Sequence, residues 1–327
     1  MHTWRVFSFI AMSKKNYTKP PLPFATQLQL LKSRGLVVAN DAKALEYLQQ
    51  ISYYRLSAYF LPYQQNKDTF DAGTTIEQII ETYSFDRALR LLMFDCIERV
   101  EIAIRTQLIY QLATKYNHSH WQDNRNIFVN PYYNSIGNLV DPYSDFQAII
   151  SRAKTARKPE VYIKHYVDNY NNPSNPPSWM CFELLTIGEL SNLYKGLKDN
   201  DDKKRIANFF KIHPTVLQSW LHTLTYVRNI CAHHSRLWNK DLAVEPTLLL
   251  KPQADWVDAK YNNNKRTFYF ICVLKYLINS ANHNNHLAQK LDDLIKKYPS
   301  VPIKYLGIPS DGKGNLLDWK TEPLFQN

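Results

Sequence analysis

Glycine is scarce in this chain, with 8 residues in 327. No G-x-G-x-x-G or P-loop pattern occurs, which argues against a glycine-rich nucleotide fold. Cysteine is sparser still: Cys96, Cys181, Cys231 and Cys272 stand far apart among apolar neighbours, with no CxxC. That spacing reads as buried, reduced thiols and excludes a disulfide frame or a cysteine zinc site. Long hydrophobic runs are missing as well. The start, from Met1 to Met12, is too short and weakly apolar to span a membrane, and it makes a poor signal peptide. Met12 is an alternative natural start. The expectation is therefore a cytoplasmic protein with no membrane partner. His118-x-His120 and His283-x-x-His286 have ligand-like spacing, but no cysteine or carboxylate set accompanies them, so neither a metal nor another cofactor is expected. Acidic residues are outnumbered, 29 against 40 Lys and Arg, leaving a net charge of +11.

The chain does carry ample apolar content (45%) for a buried core. Its 22 Tyr and 15 Phe offer planar surfaces on which unpaired bases can stack, although most such residues belong to cores. The positive balance fits a polyanionic partner without requiring one. Basic groups at Lys14–Lys15, Lys195/Lys198, Lys203–Lys204–Arg205 and Lys296–Lys297 are ordinary solvated faces or, together, an RNA track. Helical periodicity recurs throughout and strand alternation is rare, so the fold class is all-α. Helices are expected over 24–34, 41–50, 75–116 with a break near Ser84, 158–170, 179–197, 203–210, 215–233, 264–280 and 283–298. Residues 117–145, rich in Asn, Tyr and Pro, read as a long loop. The expected organisation is a poorly ordered N-terminal extension at 1–19, an N-terminal helical cap at 20–72, a helical domain at 73–298 and an irregular tail at 299–327.

The most informative stretch is VRNICAHHSRLWN, residues 227–239. It closes a helix that follows His213-Pro214, with proline suited to a first helical turn. At about 100° per residue, Val216, Trp220, Leu224, Val227 and Cys231 form an apolar stripe. His222, Tyr226, Asn229 and His233 fall on the opposite side, with Arg228 on the flank between. A solvated face is usually filled with Lys and Glu; this one carries imidazoles, a phenol and an amide. A histidine that titrates near neutral pH suits acid–base work, and an arginine presents a planar, permanently charged fork to phosphate. Asn229 is placed one turn before His233 and is able to orient its ring. His234 and Trp238 read more simply as helix-end and packing residues. Elsewhere, Glu101 and Arg105 stand four apart on a helix, the spacing of an intrahelical salt bridge.

Arg228, Asn229 and His233 match the R-x4-6-H motif of the HEPN superfamily. Together with ISYYRLSAY (51–59), ERVEIAIR (98–105) and PPSWMCFELLTIGELS (176–191), the chain resembles the Abi-like abortive-infection proteins of the AbiD/AbiF type, from about Pro20 to about Tyr298. The resemblance implies a HEPN-like helical bundle with an N-terminal cap and extra helices. It also implies a toxin-like endoribonuclease that works without metal and leaves a 2′,3′-cyclic phosphate. Arg228 and His233, with Asn229, would be catalytic. Two motifs would meet across a homodimer, supplying the second imidazole that one chain lacks. Glu101 and Arg105 would brace Arg228 or contact RNA, and His222, Tyr226 and His234 would extend the RNA-facing surface. An antitoxin, a small structured RNA or a protein, would restrain the activity in the host. Ser235 stands where one HEPN subtype has a tyrosine two positions after the motif histidine, which counts against regulation by nucleotide transfer there. A non-catalytic RNA-binding module, with Arg228 only holding phosphate, is the alternative, and a pure protein-interaction partner is a second.

Overall fold

The computed structural model describes residues 16–18, 20–66 and 68–326, so the extension expected at 1–19 lies almost wholly outside the described residues. The rest is all-α: about 60% of residues are helical, in twelve α-helices, and two small hairpins are the only sheets among the described residues. No helix there is long and apolar enough to cross a membrane.

The chain divides into two compact units, residues 1–80 and 81–327. The first contains α1 (Phe24–Ser33), α2 (Asp41–Ile51) and α3 (Tyr53–Ser57), then hairpin β1–β2 (Gln64–Asn66, Thr69–Phe70). Leu28 and Leu31 of α1 and Ala44 and Leu48 of α2 are buried, the spacing of two facing helical stripes. Gly35 ends α1 with φ +93°, a left-handed conformation that glycine adopts without strain. Asn40, one residue before the expected start, caps α2 by accepting the Lys43 N–H at 3.0 Å.

Helix α4 (Ile76–Tyr116) begins in the first unit and continues through the second, 41 residues without interruption. The break expected near Ser84 is absent, because neither Gly nor Pro interrupts 76–116 and a serine in a helix interior costs only tenths of a kcal/mol. Its seam of Leu89, Met93, Cys96, Val100, Ile104 and Leu108 is buried as the periodicity requires.

The loop expected over 117–145 contains hairpin β3–β4 (Tyr132–Tyr133, Leu139–Val140) and ends by starting a helix that the sequence reading missed, α5 (Pro142–Thr155). Asp141 caps it and Pro142 occupies its first turn. After α6 (Val161–Asn169), the helix expected at 179–197 is two: α7 (Ser178–Cys181) and α8 (Ile187–Gly196), separated by a 3-10 turn. Thr186 and Glu189 form a reciprocal capping box that restarts the helix. Then come α9 (Asn200–Phe209), α10 (Pro214–Ala232), α11 (Thr267–Ala281) and α12 (Leu287–Lys297). Every residue of α11 from Thr267 to Ile278 is buried, so it is the central helix of the unit. The tail after 298 is irregular but not loose. Trp319 and Phe325 pack on Phe268 of α11, with ring centroids 6.1 and 6.0 Å away. All four cysteines are free and buried, and burial raises the Cys96 thiol to about 11 and those of Cys181 and Cys231 to about 12.

Candidate functional site

Helix α10 starts at His213, whose ring accepts the Thr215 N–H, with Pro214 in the first turn. Leu217, Trp220, Leu221, Leu224, Val227 and Cys231 are buried, with Thr223 and Ile230 broadening the stripe. Val216, expected in that stripe, is only half-buried, and Leu217 fills its place. On the other side His222, Asn229 and His233 are exposed and Arg228 is half-buried. Tyr226 is half-buried too. Its hydroxyl accepts the Ala243 N–H at 3.4 Å and so ties down the segment that follows the helix.

The helix ends on the motif itself. His233 is the C-cap, its N–H donating to the Asn229 carbonyl at 2.9 Å. His234 has φ +57°, and its N–H reaches the Cys231 carbonyl at 3.1 Å, while the Ser235 N–H reaches that of Ile230 at 3.0 Å. This pair of bonds is a Schellman motif, with a histidine where glycine is usual. The chain then turns to Leu237 and Trp238, whose N–H groups donate to the Asp86 carboxylate of α4 at 3.1 and 2.7 Å. Asp86 is fully buried and also pairs with Arg90 one turn on. One carboxylate therefore fixes the path of the chain just after His233.

Helix α4 positions the arginine as well. The Arg228 guanidinium lies over the Phe94 ring, 5.7 Å from its centroid, and its Nη1 is 3.4 Å from the Asn229 side-chain oxygen. Cation–π contact and a hydrogen bond thus orient the fork without neutralising it. Glu101 lies within electrostatic reach of Arg228. Burial pushes its carboxyl above the ordinary range, opposed by Arg105 first and Arg228 second. Arg105 binds Glu101 at 2.9 Å, the Leu185 carbonyl at 2.8 Å and Glu183 at 3.4 Å. It joins α4 to the turn before α8, and Glu101 is the member of the pair that senses the motif. The side-chain contact expected between Asn229 and His233 is not formed, since Asn229 is turned to Arg228. Among the described residues no hydrogen bond or ion pair reaches the His233 imidazole.

Three contributors to the site are not singled out by the sequence. Asp86 and Arg90 stand four apart on α4, a spacing that signals an ion pair but not its role. Phe94 carries no signal at all. The assembled site offers a half-buried, oriented guanidinium and an accessible imidazole at one helix end, which are the parts needed to hold a phosphate and to move a proton beside it.

A family model described as Abi-like protein matches residues 46–239, well over half the chain, and spans α4, α10 and the whole R-x4-H segment. No curated protein and no solved structure gives a significant match.

Proposed function

The chain belongs to the Abi-like protein family, and on that footing we propose that it is an abortive-infection endoribonuclease of the HEPN type, acting in the cytoplasm as a homodimer. RNA brings its own nucleophile, the 2′-hydroxyl. The protein has only to hold the phosphate, stabilise the charge that develops on it and transfer protons. Arg228 takes the first two tasks and His233 the third. Asn229 holds the guanidinium at the working angle. One imidazole does not serve both the attacking and the leaving oxygen at once, so a second copy supplies the other. An antitoxin, RNA or protein, keeps the activity in check until infection.

The observation that carries this reading is the asymmetry of α10. Its last turn leaves Asn229 and His233 exposed beside an arginine that is oriented but not neutralised. A second reading, RNA binding without cleavage, is favoured by one fact: the His233 imidazole has no orienting partner within its own chain among the described residues, whereas catalytic bases are usually held. One experiment separates the two. Purified protein in excess EDTA should cut single-stranded RNA to 2′,3′-cyclic phosphate ends, and His233→Ala should bind that RNA without cutting it. Wild type that binds and never cuts supports the binding module.

A further inference from the structure

Between α4 and the end of α10 lies a groove of about 420 Å³ lined by Arg87, Arg90, Leu91, Phe94, Cys231, Ala232 and His234. We propose that this groove takes one unpaired nucleobase of the RNA whose phosphate meets Arg228, so that the substrate must be single-stranded at the cleavage point. The proposal rests on the ribonuclease reading for its substrate, but the pocket stands or falls on its own geometry.

The groove has the size of a small-ligand site. Its walls are mostly apolar, with the buried Arg90, paired to Asp86, among them and Arg87 exposed at the edge. Leu91 is 58% exposed and Phe94 37% exposed, and Ile102 and Tyr110 further along α4 are exposed as well, while Leu89, Met93 and Cys96 are buried in its seam. The exposure of Leu91 and Phe94 serves no core. The Cys231 thiol is held protonated by burial and so acts as a further apolar surface. Phe94 belongs to both places at once: Arg228 lies over its ring, and the same side chain lines the groove. A phosphate on Arg228 and a base in the groove are therefore neighbours within a single nucleotide. Aromatic rings accept any base on their faces, which gives stacking without strong sequence choice. Arg87, exposed at the rim, is suited to a flanking phosphate.

The backbone adds an independent sign. His234 keeps the left-handed conformation, φ +57°, at the one position of the helix end where glycine would be free of strain. The fold tolerates that cost and so places a planar ring at the mouth of the groove. A base locked in a duplex is stacked and paired on all sides and is not available to such a pocket. The occupant is a base from a single strand.

The test uses the full-length protein and an uncleavable 2′-O-methyl oligonucleotide with one 2-aminopurine, moved position by position. At saturation, wild type should quench the fluorescence strongly at one position, and hybridisation to a complement should abolish that quench. Ala232→Leu, which fills the groove with a helix-favouring side chain, should remove the quench and weaken binding about tenfold. Leu91→Ser, at an exposed position that spares the core, should weaken both more mildly. Thermal melts confirm that the variants fold. No quench at any position despite binding, a quench unchanged in both variants, or no binding by wild type each overturns the pocket. A Leu91→Ser protein whose oligomeric state changes while its quench does not assigns the groove to a subunit contact instead. RNA cleavage without the quench removes the pocket and keeps the ribonuclease; the quench without cleavage does the reverse.

Discussion

Arg228 shows how much of a site depends on the partners of one side chain. Phe94 supports its guanidinium through the ring face and Asn229 holds one edge, leaving the remaining N–H groups for phosphate oxygens. A lysine keeps the charge but presents a point rather than a plane and stacks less well on the ring. Arg228→Lys should therefore retain most RNA affinity, while single-turnover cleavage falls by roughly tenfold or more, the loss of bidentate transition-state contact. Equal losses in binding and cleavage would show that the planar fork plays no special part in the transition state. Asp86 illustrates the opposite kind of residue, which touches nothing that reacts. Its buried carboxylate serves Arg90 and two backbone N–H groups at once. Asp86→Ala takes the carboxylate from a buried arginine and two buried backbone donors and should cost about 2–4 kcal/mol in urea denaturation; a loss below about 1 kcal/mol would mean that the post-motif chain has another anchor. The sequence made Arg228 and His233 legible because both lie within one short helical segment. Asp86 and Phe94 act on them across more than 130 residues of chain, and no local pattern encodes that approach.

Helix ends explain most of what the sequence did and did not reveal about the fold. Long periodic stretches such as 76–116 and 214–232 were legible because a buried stripe repeats every three or four residues. The splits were obscured where a polar cap interrupts without Pro and the nearby Gly188 falls inside the new helix, as at Thr186–Glu189, or where a Pro-bearing loop ends in an Asp–Pro start, as at 141–142. The end of α10, like those of α4 at Asn117 and α9 at Lys211, carries a non-glycine residue in the left-handed conformation, here His234. His234→Gly should be tolerated by the fold, whereas His234→Val, stiff and β-branched at positive φ, should be less stable than the glycine variant by about 1–2 kcal/mol in thermal unfolding. Equal stabilities would contradict the left-handed geometry. Helix α11 carries a separate liability in Lys275, buried between apolar neighbours, with its ammonium 3.1 Å from the Asn285 side-chain oxygen. Burial lowers it to about 8, with Cys96 of α4 pulling weakly the other way. A depressed folded value means that the unfolded chain binds the proton more tightly between pH 8 and the ordinary lysine range. Stability from this group is therefore present above that range and is lost as pH falls through about 8. Compared with Lys275→Met at each pH, wild type should gain about 2–3 kcal/mol between pH 8 and 10.5. A flat difference between the two proteins would show that Lys275 is solvated in the fold.

At the scale of the whole molecule, the net charge of +11 says less than where the cations are committed. Of the basic groups that the sequence offered as an RNA track, Arg205 is paired with Asp201 at 2.8 Å and Lys296 with Asp292 at 2.6 Å, while Lys203 donates to the Lys195 carbonyl at 2.9 Å. Lys14 and Lys15 lie outside the described residues. At the end of α10, Arg87 lines the groove and Arg228 lies beside it over the Phe94 ring. Two copies brought together at that end would double the local positive charge. Such a dimer faces self-repulsion until polyanion binds, so assembly and RNA binding should be coupled through salt. Light scattering at micromolar concentration and moderate salt should give a dimer. Single-strand affinity should fall with a log–log salt slope near −0.7 per neutralised phosphate, so three contacts give a loss of about twentyfold between 50 and 200 mM salt. Arg228→Ala should make that slope shallower by roughly 0.7, or by twice that if both copies touch the same strand. A monomer that still cleaves RNA would remove the need for a second imidazole. An Arg228→Ala slope identical to wild type would place the phosphate contacts elsewhere on the molecule, and the α10 end would cease to be the RNA site.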